Sequence, residues 1–177
     1  VKLRIRGEYV IDQAIEDLVP EPFCSGLVQD CIKRGKTPKE GGSVYDLVTG
    51  PEMGVTNVGN SLAALKKLVF DEKVLSAEEL SKALESDFQG MEGERVRQLL
   101  LNKAPKFGND DDLVDRLAHE TYMIFIRELA KYKTARYGRG PIGCLNYPCT
   151  ATISANVAGG IKVGASPEGR HAGDSLA

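Results

Sequence analysis

The chain has 177 residues, 27% of them charged and 42% hydrophobic, with a formal net charge of −2. That length suits one domain, and that composition fits a folded globular chain rather than a disordered one. The near-balance of charge gives no electrostatic case for nucleic acid or an anionic membrane, and no apolar run is long enough to span a bilayer.

The opening VKLRIRGEYV has no initiator methionine, no signal peptide and no transit-peptide composition. Val1, Leu3 and Ile5 alternate with Lys2, Arg4 and Arg6, which predicts a half-buried strand. A strand at residue 1 leads to the expectation that the sequence is cut from a longer one. Residues 12–18 are predicted as a short helix ending at Pro20 and Pro22. FCSGLVQDCIKRG, 23–35, carries Phe23, Leu27, Val28, Cys31 and Ile32 at helical spacing, with Gly35 as its stop. KTPKEGG is a loop, and SVYDLVTG, 43–50, is strand-like and closes on Gly50-Pro51.

GVTNVGNSLAALKKLVFDEK, 54–73, predicts a helix capped by Asn57 or Asn60, with Val58, Leu62, Leu65, Leu68 and Val69 on its apolar face. SAEELSKALESDF, 76–88, opens with a capping box from Ser76 to Glu79 and turns Leu80, Ala83, Leu84 and Phe88 one way. A third short helix covers 92–103 with Val96, Leu99 and Leu100, and APKFGND breaks it. A long helix follows from about Asp110 to Tyr132, with Val114, Leu117, Ala118, Thr121, Phe125 and Leu129 on its face. CTATISANVAGG, 149–160, is rich in Thr, Ile and Val and predicts a strand, followed by the glycine-rich loop GIKVGASPEGRHAGDSLA.

Three isolated strands with long helical connections do not pair locally, and helices with one apolar stripe need a partner layer. Parallel or mixed strands of an α/β barrel or sheet supply one. The strands here are too few to close a barrel alone. The expected fold class is therefore α/β, as a helix-rich sector of something larger.

The candidate chemistry is thin. Asp110, Asp111 and Asp112 are consecutive, so on a helix each lies about 100° from the last and they do not converge on one ion. Their place at a helix start fits capping. His119 has no ligand-spaced partner and reads as a solvated histidine. His171, beside Arg170, is placed to touch an anion or simply to lie on a surface loop. The tail glycines match neither the P-loop nor the dinucleotide fingerprint, and Ser166-Pro167-Glu168-Gly169 reads first as a tight turn. Cys24, Cys31, Cys144 and Cys149 show no two-residue spacing and read as free thiols in a reducing compartment, most simply as small buried hydrophobes. Arg136 and Arg139 give only a weak reason to single out Cys144 and Cys149 as thiolates.

Four stretches in order carry a resemblance over nearly the whole chain: FCSGLVQDCIKRGKTPKEGGSVYDLVTGP, GVTNVGNSLAALKKLVFDEK, LLLNKAPKFGNDDDLVD and ISANVAGGIKVGASPEGRHAGDSLA. Together they resemble the glycyl radical enzymes, the pyruvate formate-lyase-like superfamily, on the branch of dehydratases, decarboxylases and lyases. The resemblance implies an internal fragment, 1–177, of a ten-stranded α/β barrel domain. It lacks both the catalytic Cys loop and the C-terminal glycyl radical domain. The parent is then a formate C-acetyltransferase-like lyase or transferase of anaerobic metabolism. It abstracts hydrogen with a thiyl radical and cleaves a C–C or C–heteroatom bond of a small organic substrate. A separate radical S-adenosylmethionine activase with an iron–sulfur cluster installs the glycyl radical. A cytoplasmic homo-oligomer without nucleic acid or membrane partners is expected, and no cofactor bound to the fragment, which by itself is inactive.

This sequence departs from the family at both functional residues. No Cys-x-Glu occurs: Cys144 is followed by Leu145 and Asn146, and Cys149 by Thr150 and Ala151. Neither Gly164 nor Gly173 has the neighbours of a radical glycine. What the resemblance does transfer is substrate lining at Ala151, Ile153 and Ser154, with Asn57 and Asn60 as polar groups toward the barrel interior. As strand residues Ala151 and Ile153 share a face. Dehydratases often carry a tyrosine at the position that matches Ala151. Two rival readings are a non-catalytic helical interaction module and a phosphate-binding enzyme using the glycine-rich tail.

Overall fold

A computed structural model describes residues 1–45, 49–51, 53–132, 142–145 and 150–177, with the backbone alone described at 49–51, 144–145 and 150–153. The chain divides into two compact units: Val1–Pro51 with Ile124–Leu145, and Glu52–Met123 with Asn146–Ala177.

The first unit opens on α1, Lys2–Leu18, where the alternation predicts a strand. Leu3 is exposed rather than half-buried. A helix satisfies the backbone without any partner strand, and an Arg4–Glu8 pair at 3.9 Å spans one turn of it. The Arg4 guanidinium also lies over the Phe125 ring, 5.9 Å from its centre. Val19 leaves the helical region because Pro20 follows it. The single helix predicted over 23–35 is broken in two, α2 (Pro22–Leu27) and α3 (Cys31–Arg34). Between them Val28 is extended and Asp30 is left-handed with φ 71°. Gly35 ends α3 as expected. Cys31 is buried, whereas Phe23, Leu27 and Ile32 are exposed.

β1, Thr49–Pro51, pairs in parallel with β2, Gly143–Leu145, with Thr49 opposite Gly143 and Pro51 opposite Leu145. This realises the end of the strand predicted over 43–50, of which 46–48 lie outside the described residues. The partner β2 escaped the sequence reading. The pair does have the expected character: parallel strands separated by a long helical connection.

The second unit begins with α4, Val55–Ala64, which runs on as a π-helical stretch over Leu65–Asp71. Gly54 precedes α4, so Asn57 and Asn60 lie inside the helix and neither caps it. Its buried positions are Gly59, Ala63 and Ala64; of the predicted face Val58 and Leu62 are exposed, whereas Leu68 is buried and Leu65 and Val69 pack against the core. The reason is a close helix crossing. A Cβ on Gly59 would stand 2.9 Å from the Ala118 Cβ, so this position is turned to α7, while Ala64 joins the core with Leu68.

α5, Ala77–Glu85, starts with the predicted capping box: Glu79 N–H donates to Ser76 Oγ at 3.1 Å, and Ser76 N–H to Glu79 Oε2 at 2.8 Å. α6 covers Gly90–Lys103. Leu68, Leu75, Leu80, Phe88, Val96 and Leu100 form the core between these elements, largely as the helical periodicity required. α7, Asp112–Leu129, is divided between the units after Met123. It is capped by Asp111, whose Oδ1 accepts the N–H of Leu113 at 3.0 Å and of Val114 at 3.3 Å. Among the described residues no group of side chains could hold a metal ion, and His119 is exposed.

α8, Thr150–Gly160, corrects the strand expected over 149–160. β-propensity measures fit to a pleated, partnered surface more than any backbone preference. No strand pairs with this stretch among the described residues, and a helix satisfies its backbone internally. α8 ends abruptly at Gly160, where a Cβ would stand 2.0 Å from the Asp174 carbonyl oxygen of the returning chain.

Candidate functional site at the terminal turn

Residues 161–177 have almost no regular structure, yet several elements of the second unit hold them. Ser166-Pro167-Glu168-Gly169 is the predicted tight turn: Gly169 N–H donates to Ser166 O at 2.9 Å, and Gly169 has φ 95°. Ser166 and Arg170 then form an isolated antiparallel bridge.

The turn carries two buried charges. Glu168 is 7% exposed and Arg170 9%. The Glu168 carboxylate accepts from Asn57 Nδ2 at 2.6 Å, from Asn60 Nδ2 at 3.2 Å and from Ser166 Oγ at 3.3 Å. Charge-assisted bonds of this kind are about twice as strong as neutral ones. Asn57 and Asn60 reach one carboxylate because residues three apart on a helix share a face. Their oxygens are also engaged: Asn60 Oδ1 accepts Phe107 N–H at 2.7 Å, and Asn57 Oδ1 accepts Ala177 N–H at 2.8 Å.

Arg170 binds carbonyls instead of a carboxylate. Its guanidinium donates to Asp174 O at 2.7 Å, to Val163 O at 3.3 Å, to Gly164 O, and to Ser166 Oγ at 3.3 Å. Lys106 Nζ donates to Leu100 O at 2.8 Å and Glu168 O at 2.9 Å, closing the end of α6. Burial pushes the Lys106 pKa down, and the Glu168 carboxylate opposes this. Arg97 Nε donates to Gly169 O at 3.0 Å. At the far side Asp87 Oδ1 accepts Ala172 N–H at 2.8 Å and lies 3.2 Å from His171 Nδ1, whose ring meets Phe88 edge-on at 5.7 Å. The Ala172 N–H first, and then His171, hold the Asp87 carboxyl below its ordinary value.

This geometry is poor for a phosphate. A carboxylate fills the turn and Arg170 is taken up by carbonyls. Of the residues singled out in the sequence, Asn57 and Asn60 are brought together by Glu168. Ser154 is exposed on α8. Ala151 and Ile153 lie on the same helix, with side chains outside the described set. In a helix positions 151 and 153 are about 200° apart, so 151 and 154 are the neighbours, in place of the pairing a strand would give. Cys24 is exposed and Cys31 buried. Cys149 lies outside the described residues, as does the Cys144 side chain. Two buried polar atoms, Thr56 Oγ1 and Asn156 Oδ1, have no hydrogen-bond partner among the described residues. Sequence reasoning missed Glu168, Arg170 and Lys106 as a network. The available signal was the pair of amides on one helical face, which asks for a common partner.

Among the described residues the chain combines helices with one parallel strand pair, an α/β composition. The chain belongs to the pyruvate formate lyase-like family of glycyl radical enzymes, whose model matches residues 1–160. It is 49% identical over 173 residues, 98% of this chain and 21% of the relative, to a probable dehydratase, YbiW, of Escherichia coli. A solved structure from work on 1,2-propanediol dehydration in Roseburia inulinivorans superposes with a TM-score of 0.85 at 40% identity, covering 99% of this chain and 22% of that one. Hydroxyproline dehydratase from Clostridioides difficile, with trans-4-hydroxy-L-proline bound, gives a TM-score of 0.87 at 31% identity over 99% of this chain and 21% of that one. The chain thus spans about a fifth of the length of the relatives it matches. No helix of the described residues is long and apolar enough to cross a membrane.

Proposed function

We propose that residues 1–177 are a sector of the barrel of a longer glycyl radical enzyme, which cleaves a C–heteroatom or C–C bond of a small organic substrate. The observation that carries this reading is the coverage: nearly all of this chain aligns with about a fifth of each relative. The parallel β1–β2 pair supports it as two strands of a ten-stranded barrel. Hydrogen-atom abstraction is supplied by a stored glycyl radical and a cysteine thiyl. No residue of this chain has the sequence setting of either, so both roles are assigned to the rest of the longer protein. A radical S-adenosylmethionine activase with an iron–sulfur cluster is its partner, and the enzyme works in the cytoplasm as a homo-oligomer.

Within this sector, α8 supplies the substrate-facing residues. Positions 151 and 154 share one face of α8 and position 153 falls on another, and Asn57 and Asn60 add polar groups held by Glu168. Elimination of a small leaving group fits the dehydratases among the relatives. The alanine at 151, where dehydratases often carry a tyrosine, lacks a phenol donor, and this supports a substrate different from theirs. The test is an anaerobic survey of the activated full-length protein against small diols, hydroxylated amino acids and hydroxysulfonates, with products read by NMR. Turnover of one class with loss of its C–heteroatom group supports the reading. Radical-bearing protein that turns over none of them, and no C–C substrate either, contradicts it.

A further inference from the structure

A turn needs no buried carboxylate to be a turn. Burying one is costly unless it is well bonded. In some proteins a retained buried polar or charged group fixes one arrangement rather than adding stability. Glu168 is almost fully buried, and the side chains that donate to it, Asn57, Asn60 and Ser166, are neutral.

The bonds around it form a closed circuit. On one side the carboxylate grips α4 through two amides. On the other, Ser166 Oγ links it to Arg170, which gathers the carbonyls of Val163, Gly164 and Asp174. That folds the chain back so that Leu176 N–H donates to Asn156 O on α8 at 3.1 Å. Ala177 N–H then returns to Asn57 Oδ1 at 2.8 Å, where the circuit began. The circuit therefore ties α4 to α8 by way of the tail, with the buried acid anchoring the turn from which that tail folds back.

We propose that Glu168 is a positioning residue that sets α8, and with it Ser154, for the substrate. The proposal rests on α8 being the substrate-facing element. Glu168→Gln turns an amide donor toward the Asn57 and Asn60 donors and breaks at least one charged bond. Asn57→Asp combined with Glu168→Gln reverses the polarity of the contact. The amide nitrogen introduced at position 168 then donates to the carboxylate introduced at position 57, whose other oxygen still accepts Ala177 N–H.

The experiment uses the activated full-length enzyme. The expected result for Glu168→Gln is KM raised about ten-fold, the equivalent of one charged hydrogen bond, with the glycyl EPR signal at wild-type intensity. Amide exchange over 163–177 should quicken, and the double variant should restore both exchange and KM. Faster exchange with unchanged KM overturns the positioning role, because the latch then has no bearing on the substrate. Unchanged exchange overturns the latch itself, whatever the chemistry. A wild-type enzyme that acquires no radical speaks instead against the functional reading, and the exchange measurement keeps these failures apart.

Discussion

The side-chain amide of Asn57 donates to the Glu168 carboxylate at 2.6 Å across 111 positions of sequence. Asn60, one turn further along α4, donates to the other oxygen at 3.2 Å. This contact converts a glycine-rich tail into a fixed part of the second unit. It also gives both asparagines a partner inside the protein.

Removing the acid should therefore cost more than removing a surface group. Glu168→Ala leaves the Asn57 and Asn60 amides without the carboxylate they donate to. The expected loss is about 1–3 kcal/mol, the penalty for unsatisfied buried donors. Urea unfolding of the full-length protein measures it, and a midpoint equal to wild type would show that the amides are satisfied elsewhere.

Two glycines should respond with opposite sign. A Cβ at Gly160 meets the Asp174 carbonyl oxygen at 2.0 Å, a backbone atom that cannot swing away. Gly160→Ala should destabilise by ~1–3 kcal/mol, as overpacking does, and quicken exchange at Leu176. Gly7 lies inside α1 with nothing within 4 Å of an added Cβ. Gly7→Ala should stabilise the helix by up to about 1 kcal/mol. A stabilising thermal shift for Gly160→Ala would contradict the packing there, and a destabilising one for Gly7→Ala would contradict the open space beside α1.

The Asp87 contact predicts a pH dependence. The Ala172 N–H and His171 lower the Asp87 pKa in the folded chain, so the unfolded chain binds that proton more readily. The stabilisation is then fully present above the ordinary aspartate value and is lost as pH falls through the lowered folded value. Asp87→Asn should be less stable than wild type at neutral pH and converge with it on acidification. Denaturation midpoints of the two proteins over that range decide it, and a constant gap would rule out the charge as the cause.

What was legible in the sequence is what local interactions decide. The capping box at Ser76–Glu79, the cap at Asp111, the turn at 166–169 and the buried faces of α5, α6 and α7 depend on neighbours within a few residues. The openings of α1 and α8 read as strands because alternation and β-branched content describe a surface that only a partner strand can complete. Val58 and Leu62 departed from the predicted face while Leu65, Leu68 and Val69 kept it, and there Gly59 meets Ala118, a contact between distant segments. For the site, Asn57 and Asn60 stood out, but Glu168 did not. A charged residue in a Pro-Gly turn looks solvent-exposed until α4 is folded against it.

The most direct measurement of the central claim is EPR after anaerobic incubation with the activase, S-adenosylmethionine and a reductant. A glycyl doublet on the full-length protein, and none on residues 1–177 alone, is the predicted result. A doublet on the 177-residue chain by itself, or none on the full-length protein with an activase proven on another substrate protein, would contradict the assignment of this chain as one sector of a glycyl radical enzyme.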